Sequence, residues 1–143
     1  MLIPRQKTPD LILPTLDHGT FDLSKDKSEH GTIICFYRGL HCPLCATYLT
    51  EFQKRVADFT ARGANTIAIS SDGEERTRAM ADKIGADTLR FAYDLPLAKA
   101  REWGQGSLSP VTDASKVIRP HWPDIHLCTV MNDKNIDFGI AIQ

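Results

Sequence analysis

Residues 32–45 have the sequence TIICFYRGLHCPLC, which joins two patterns of different kinds. Its first part, residues 32–37, is β-branched and aromatic at both odd and even positions, as is typical of a strand covered on both faces. Its second part holds Cys42 and Cys45, separated by two residues, with Pro43 directly after the first cysteine. The combination predicts a central strand, a short connection and a helix that begins at or just after Cys42.

The residues that follow support this helix. Apolar side chains recur at spacings of four and three, as on one face of a helix, at Cys45, Leu49, Phe52, Val56 and Phe59. Pro43 suits the first helical turn, because the N–H that proline lacks would have no intrahelical partner there. Gly63 predicts the end of the helix.

The rest of the chain alternates short strands and helices. The predicted elements are a hairpin over 11–23, a strand over 65–70, a helix with a Ser71/Glu74 capping box and a stop at Gly85, a strand over 88–93, a helix over 95–103 ended by Gly104, and a hairpin over 125–142. Residues 105–124 contain three prolines and no clear period. The order predicts an α/β fold, and the length of 143 residues predicts a single domain over residues 1–143.

Charge and hydropathy exclude several function classes. Seventeen Lys and Arg against eighteen Asp and Glu leave a formal charge of −1, which argues against nucleic acid and anionic membranes as partners. The longest apolar run, residues 33–37, is far too short to span a bilayer. Prolines interrupt the N-terminal segment, which lacks the apolar stretch of a secretory signal. We therefore expect a soluble, cytoplasmic protein.

Cys42 and Cys45 carry the predicted chemistry. A helix N-terminus stabilises a thiolate, and Arg38 and His41 are candidate cations beside it. Residues three apart lie on one helical face, so the two sulfurs can reach disulfide distance. Cys45 falls on the apolar stripe and Cys42 at the edge of the helix, which predicts that Cys42 is the more accessible sulfur and attacks, while Cys45 resolves.

Two other hypotheses for Cys42 and Cys45 have weaker support from the sequence. A structural zinc ion normally takes four ligands, and no second close Cys or His pair is present, so we expect no metal. An inert pair would require that apolar burial raise the pKa of Cys45 and silence its thiol. The remaining cysteines, Cys35 and Cys128, lie in predicted strands, and we interpret both as core residues.

Residues 36–45, FYRGLHCPLC, taken together with residues 10–23 and 68–72, resemble the peroxiredoxin-like branch of the thioredoxin superfamily, also called the alkyl hydroperoxide reductase and thiol-specific antioxidant family. The resemblance extends from about residue 9 to residue 104. It implies a thioredoxin-like fold with a central mixed β-sheet flanked by helices. It also implies thiol-dependent peroxide reduction or disulfide exchange, and no bound cofactor.

The resemblance leaves the order of the two cysteines open. In a peroxiredoxin, the threonine or serine three residues before the peroxidatic cysteine falls on Cys42, and the peroxidatic cysteine itself falls on Cys45. In a thioredoxin, the attacking cysteine falls on Cys42 and the resolving one on Cys45. This chain carries the thioredoxin residue at the peroxiredoxin position.

The chain also departs from the family pattern. The arginine that peroxiredoxins supply after the active-site loop has no match in residues 125–129, so Arg38 or Arg119 would have to replace it. The cis-proline that thioredoxins place beside the sulfurs matches Pro123 best and Pro110 second. The helix that normally follows the last strand has no match in the sequence. Either a partner subunit covers the exposed sheet face, which predicts a homodimer, or the C-terminus is shortened or altered.

The functional prediction is a thiol oxidoreductase. One thiolate attacks a peroxide, the second cysteine condenses with the sulfenic acid to give a Cys42–Cys45 disulfide, and an external thiol, such as a thioredoxin or glutathione system, reduces it again. One alternative is a thioredoxin-like oxidoreductase of protein disulfides without peroxidase activity. The other is a non-enzymatic interaction module of the same fold.

Overall fold

The computed structural model of the chain describes residues 8–103, 126–131 and 138–142. Their elements, in chain order, are β1 (Ile12–Pro14), β2 (Thr20–Asp22), β3 (Gly31–Phe36), α1 (Pro43–Ala61), β4 (Ala64–Ile69), α2 (Glu74–Ile84), β5 (Arg90–Ala92), α3 (Leu97–Glu102), β6 (His126–Met131) and β7 (Phe138–Ile142). Among the helices of these residues, none is both long and apolar enough to pass through a bilayer.

The main sheet has five strands in the order β5-β4-β3-β6-β7. Strands β3, β4 and β5 run parallel, while β6 pairs antiparallel with β3 and with β7. The predicted central strand is confirmed, because β3 lies in the middle of the sheet and all six of its residues are buried. The late hairpin is confirmed as β6 and β7.

Two apolar clusters cover the two faces of β3. The odd-numbered side chains of β3 and the residue after it pack under α1 and α2, in a cluster that includes Ile33, Cys35, Tyr37, Leu49, Phe52, Val56, Met80 and Ile84. The even-numbered side chains pack against the β1–β2 hairpin and the α3 region, in a cluster that includes Ile34, Phe36, Leu11, Leu13, Phe21, Ala100 and Trp103. Burial on both faces explains why β3 is apolar at both parities.

The ends of α1 follow the sequence prediction. Cys42 is the N-cap, Pro43 stands at the first helical position, and Gly63 follows the helix with a φ of +77°. A positive φ is a conformation that glycine adopts without the steric cost of a Cβ atom. Five residues, 37–41, and the N-cap Cys42 connect β3 to α1, which places both cysteines at the carboxyl end of the central strand.

The predicted start of α2 is wrong. The Ser71/Glu74 pair has capping-box spacing, but the helix begins at Glu74 with Gly73 as its N-cap and without a side-chain cap. Ser71 lies two residues before the cap, in the bend that follows β4. The acidic residues of the first turn, Glu74 and Glu75, instead favour the helix N-terminus through its dipole. Gly85 ends the helix in the left-handed conformation, as predicted.

The next two elements are shorter than the sequence predicts. The strand expected over 88–93 contains only Arg90–Ala92, and the helix expected over 95–103 contains only Leu97–Glu102. Pro96 is the N-cap of this helix, so the proline sets its beginning. Several residues named from the sequence, Gly104, Pro110, Arg119 and Pro123, lie outside the described residues.

Candidate active site

The candidate site lies at the carboxyl end of β3, where residues 38–41 connect the strand to α1. Tyr37 extends the strand by one hydrogen bond, from its N–H to the Ile69 carbonyl at 3.0 Å. The connection then closes on itself, because the Cys42 N–H donates to the Gly39 carbonyl at 3.1 Å. In open α/β sheets, this edge is where functional residues collect.

Cys42 caps α1 with its sulfur. Its backbone is extended, with φ −102° and ψ 104°, its carbonyl accepts from the Ala46 N–H at 3.2 Å, and its Sγ accepts from the Cys45 N–H at 3.2 Å. Serine, threonine or aspartate normally supplies this acceptor. A thiolate at Cys42 would thus receive a backbone hydrogen bond and face the positive end of a 19-residue helix dipole.

Cys45 lies one turn further and is completely buried. The pKa of the Cys45 thiol is raised to about 12, mainly by burial and secondly by the hydrogen bond with the Cys42 side chain. The Arg38 backbone N–H and the Arg38 charge act in the opposite direction and lower this pKa. At neutral pH the Cys45 thiol therefore keeps its proton, so the burial and raised pKa named above for an inert pair are present at Cys45. The two sulfurs are neighbours in different electrostatic environments.

The accessibility of the two sulfurs also differs. Cys42 is 8% exposed and Cys45 is 0% exposed, so the sequence prediction that Cys42 is the more accessible one is confirmed. Both are nevertheless buried, while Leu44 between them is 58% exposed. The low exposure of Cys42 in this conformation favours a small oxidant over a macromolecular disulfide.

The predicted supporting residues occupy different surroundings. Arg38 is half-buried in the connection and acts on Cys45 through its backbone N–H and its charge. His41 is exposed in the turn before Cys42. Pro43 is exposed at the first helical position. Pro123, the predicted cis-proline, lies outside the described residues, so its role stays a prediction.

Sequence reasoning missed Asp72 as a residue of this site. Its carboxylate accepts a hydrogen bond from the Leu40 backbone N–H at 2.7 Å, across 32 positions of the chain. Arg76 Nε donates to the same carboxylate at 3.3 Å. The available signal was its position just after β4, because the carboxyl ends of the parallel strands β3 and β4 meet at one edge of the sheet.

A third thiol lies beneath α1. Cys35 is fully buried in β3, which confirms its predicted place in the core, and its Sγ lies 2.8 Å from the Tyr48 hydroxyl. In the β3–β6 ladder, Cys35 and Cys128 are paired residues. Among the residues described with their side chains, no group of three or more His, Cys, Asp or Glu is arranged to hold a metal ion.

One family model and two known bacterial proteins are similar in sequence to this chain. A model of the AhpC/TSA family matches residues 4–106, close to the span of the resemblance seen in the sequence. An alkyl hydroperoxide reductase C of Helicobacter pylori is 34% identical over 108 residues, which cover 71% of this chain and 54% of that protein. The protein of the same name from Helicobacter pylori strain J99 is 34% identical over 117 residues, which cover 82% of this chain and 52% of that protein. The chain therefore spans about half the length of these two relatives.

The fold has solved relatives as well. A yeast mitochondrial 1-Cys peroxiredoxin superposes with a TM-score of 0.75 at 14% identity, covering 99% of this chain and 68% of that one. At this identity the likeness establishes the fold alone. It confirms the expected thioredoxin-like α/β fold, with a central mixed sheet flanked by helices.

Proposed function

We propose that this chain, which belongs to the AhpC/TSA family, is an enzyme that reduces peroxides through a disulfide cycle of Cys42 and Cys45. The observation that carries the proposal is the position of Cys42. Its sulfur caps α1 and accepts the Cys45 N–H at 3.2 Å, at a helix N-terminus, which is the kind of position where reactive cysteines occur. Family membership supports peroxide as the substrate class, and the low exposure of Cys42 favours a small oxidant.

In the proposed order, Cys42 attacks and Cys45 resolves. This is the order of a thioredoxin, and it departs from the peroxiredoxin correspondence, which puts the attacking sulfur on Cys45. Two observations support it: Cys42 is the more exposed sulfur, and burial raises the pKa of Cys45, although the Arg38 backbone N–H partly offsets that rise. Because attack requires a thiolate, the thiol that keeps its proton is the worse nucleophile.

The chemical steps balance without a bound cofactor. The Cys42 thiolate attacks one peroxide oxygen, the O–O bond breaks, and the leaving hydroxide or alkoxide takes a proton to give water or an alcohol. Cys42 is then a sulfenic acid. Cys45 loses its proton as it attacks the Cys42 sulfur, the S–O bond breaks, water leaves, and a disulfide forms. Two electrons have passed from the dithiol to the peroxide.

The cycle closes when an external dithiol, or two equivalents of a monothiol, reduces the Cys42–Cys45 disulfide. A thioredoxin or a glutathione system in a reducing cytoplasm has the chemistry for this step. The first attack of the reductant falls on the more exposed sulfur, which is Cys42. A homodimer, as expected from the sequence, is part of the same proposal.

A second candidate function is thiol–disulfide exchange with a protein disulfide. The observation that favours it is the thioredoxin-like asymmetry of the pair, with a capping Cys42 and a fully buried Cys45 whose pKa is raised. In this case Cys42 attacks a sulfur instead of an oxygen, and Cys45 releases the mixed disulfide. The same two residues act, so the substrate distinguishes the two functions.

Stopped-flow measurement of hydrogen peroxide consumption by the reduced protein tests the proposal. We expect consumption well above that of free cysteine at equal thiol concentration, loss of this reaction in Cys42→Ser, and retention in Cys35→Ser, which alters a thiol that the cycle does not use. Consumption no faster than for free cysteine would remove the peroxidase function. Reduction of a protein disulfide by the same sample would then support the second candidate.

A further inference from the structure

The loop that carries Cys42 is fastened to the neighbouring strand by one carboxylate. We propose that Asp72 is a positioning residue that sets the geometry of residues 38–42 and so places the Cys42 sulfur at the N-terminus of α1. This inference rests on the proposed role of Cys42 as the attacking thiol. Asp72 itself acts through the backbone of the loop and takes no part in bond making.

A short chain of hydrogen bonds links Asp72 to the sulfur. The Leu40 N–H donates to Asp72 Oδ2 at 2.7 Å, which fixes the middle of the loop. The Gly39 carbonyl, which belongs to the same peptide group as the Leu40 N–H, accepts from the Cys42 N–H at 3.1 Å. The Cys42 Sγ in turn accepts from the Cys45 N–H at 3.2 Å. Movement of the loop at position 40 therefore alters the last of these contacts.

Steric contact between Gly39 and the Asp72 carboxylate also restricts this loop. Gly39 has a φ of +134°, and a Cβ atom at this position would lie 2.8 Å from Asp72 Oδ2 and 3.0 Å from Oδ1. The carboxylate thus occupies the space that any other residue at position 39 would fill. The loop backbone lies directly against the carboxylate, which a glycine allows and other residues prevent.

Asp72 is itself held in place from three sides. Its N–H donates to Ser70 Oγ at 3.3 Å, and its carbonyl accepts from the Asp94 N–H at 2.8 Å. Arg76 Nε, in the first turn of α2, pairs with Oδ1 at 3.3 Å, and the side chain of Asp72 is only 14% exposed. A carboxylate with this many contacts has a fixed orientation, as a residue that positions a loop requires.

A positioning role of Asp72 and a purely electrostatic effect of its charge lead to opposite expectations for the reactivity of Cys42. If Asp72 acted only through its negative charge, its removal would favour a nearby thiolate and increase the reactivity of Cys42. If it positions the loop, removal of the acceptor weakens the Cys45 N–H bond to Cys42 and lowers that reactivity. Among the described residues, the other charged or titratable groups near Asp72 or the two cysteines, which are the same in every variant below, include Tyr37, Arg38, His41, Arg76, Asp94 and Cys45.

The test is the rate of iodoacetamide modification of Cys42 as a function of pH, followed by peptide mass spectrometry on the reduced protein. We expect Asp72→Ala and Asp72→Leu to lower the rate at neutral pH by about three- to tenfold, the effect of one lost hydrogen bond, and to move the inflection to higher pH. Asp72→Asn keeps an acceptor of the same shape and is expected to stay within about twofold of the wild type. Asp72→Leu fills the space of the carboxylate, so it serves where Asp72→Ala does not fold.

Asp26→Ala is the matched control. Asp26 is also a half-buried carboxylate, bonded to Thr32 and Arg90, but it lies at the amino end of β3, opposite the candidate site. Its removal destabilises the fold and is expected to leave the inflection unchanged. Profiles of Asp72→Ala and Asp72→Leu that overlay the wild type, or that move to lower pH, would overturn the inference. A wild type inert to peroxide would remove the proposed function, while the iodoacetamide profiles would still test Asp72.

Discussion

The difference between two sulfurs one helical turn apart is the main feature at the scale of single residues. Cys42 occupies a capping position that usually holds an oxygen, while Cys45 lies on the buried stripe of the same helix. The Cys42 sulfur accepts a backbone N–H at the helix N-terminus, whereas desolvation opposes charge at Cys45. The spacing of the cysteines predicted this arrangement, since only the first lies off the apolar stripe.

This difference predicts selective alkylation. In the reduced native protein near pH 8, iodoacetamide should modify Cys42 at least about tenfold faster than Cys45, because the pKa of Cys45 is raised to about 12 and its side chain is buried. Peptide mass spectrometry over time measures both rates. Denatured protein is the control, in which the two rates should converge. Equal labelling of both cysteines in the native state would contradict the assignment.

The raised pKa of Cys45 also predicts how stability depends on pH. Its pKa rises from 9.0 to about 12 on folding, so its contribution to stability is complete below pH 9 and is lost as the pH increases towards 12. Above pH 9, the reduced wild type should lose about 1.4 kcal/mol of unfolding free energy per pH unit more than Cys45→Ala. Tyr37, whose pKa burial also raises to about 12, is present in both proteins and cancels in the difference. Denaturation measures the unfolding free energy of both proteins at each pH. Equal changes in the two free energies between pH 9 and 10 would show that the pKa of Cys45 is not raised.

At the scale of helices and strands, hydrophobic periodicity and glycine positions predicted the helix boundaries that depend on neighbouring residues alone. The start of α1 at Pro43, the end of α1 before Gly63 and the end of α2 at Gly85 follow from short-range backbone rules. The start of α2 did not, because the Ser71/Glu74 spacing is only a local preference and the chain between β4 and α2 is fixed by other contacts. Those contacts centre on Asp72, whose partner Leu40 is 32 positions away, and no local pattern encodes a contact at that distance.

The contact between the loop and Asp72 predicts that position 39 tolerates only glycine. Gly39→Ala places a Cβ atom 2.8 Å from Asp72 Oδ2 at a φ of +134°, so we expect a loss of about 2–3 kcal/mol in unfolding free energy. Gly19→Ala is the matched control: its φ is +68° and no atom lies within 4 Å of the added carbon, so only about 1 kcal/mol should be lost. Urea denaturation measures both. Similar losses in the two variants would show that Asp72 does not restrict the loop.

At the scale of the whole molecule, the sheet separates a structural edge from the candidate site. At the amino end of β3, Asp26 accepts from the Thr32 hydroxyl at 2.6 Å and pairs with Arg90 at 2.9 Å, which ties the connection before β3 to β5. At the carboxyl end lie the two cysteines and Asp72. The thioredoxin-like fold was predictable from the order of elements and the resemblance, whereas the single domain over residues 1–143 stays a prediction.

The Asp26–Arg90 pair predicts an acid-sensitive part of the stability. Burial alone would raise the pKa of Asp26, but hydrogen bonds from Arg90 and Thr32 outweigh it and hold the pKa below 3.8. Its contribution is therefore present above pH 3.8 and is lost as the pH falls through the folded-state value. Asp26→Ala should cost about 2–3 kcal/mol at neutral pH and less in acid, as measured by denaturation. A cost that stays constant from neutral pH to about pH 3 would contradict this account.

Sulfenate trapping shows whether Cys42 is the sulfur that peroxide oxidises. Reduced Cys45→Ser and Cys42→Ser proteins are each given a brief pulse of hydrogen peroxide with dimedone present, and the adduct is located by peptide mass spectrometry. We expect an adduct on Cys42 in Cys45→Ser and little or none on Cys45 in Cys42→Ser. An adduct that forms on Cys45 in Cys42→Ser, with Cys42 unmodified in Cys45→Ser, would contradict this expectation.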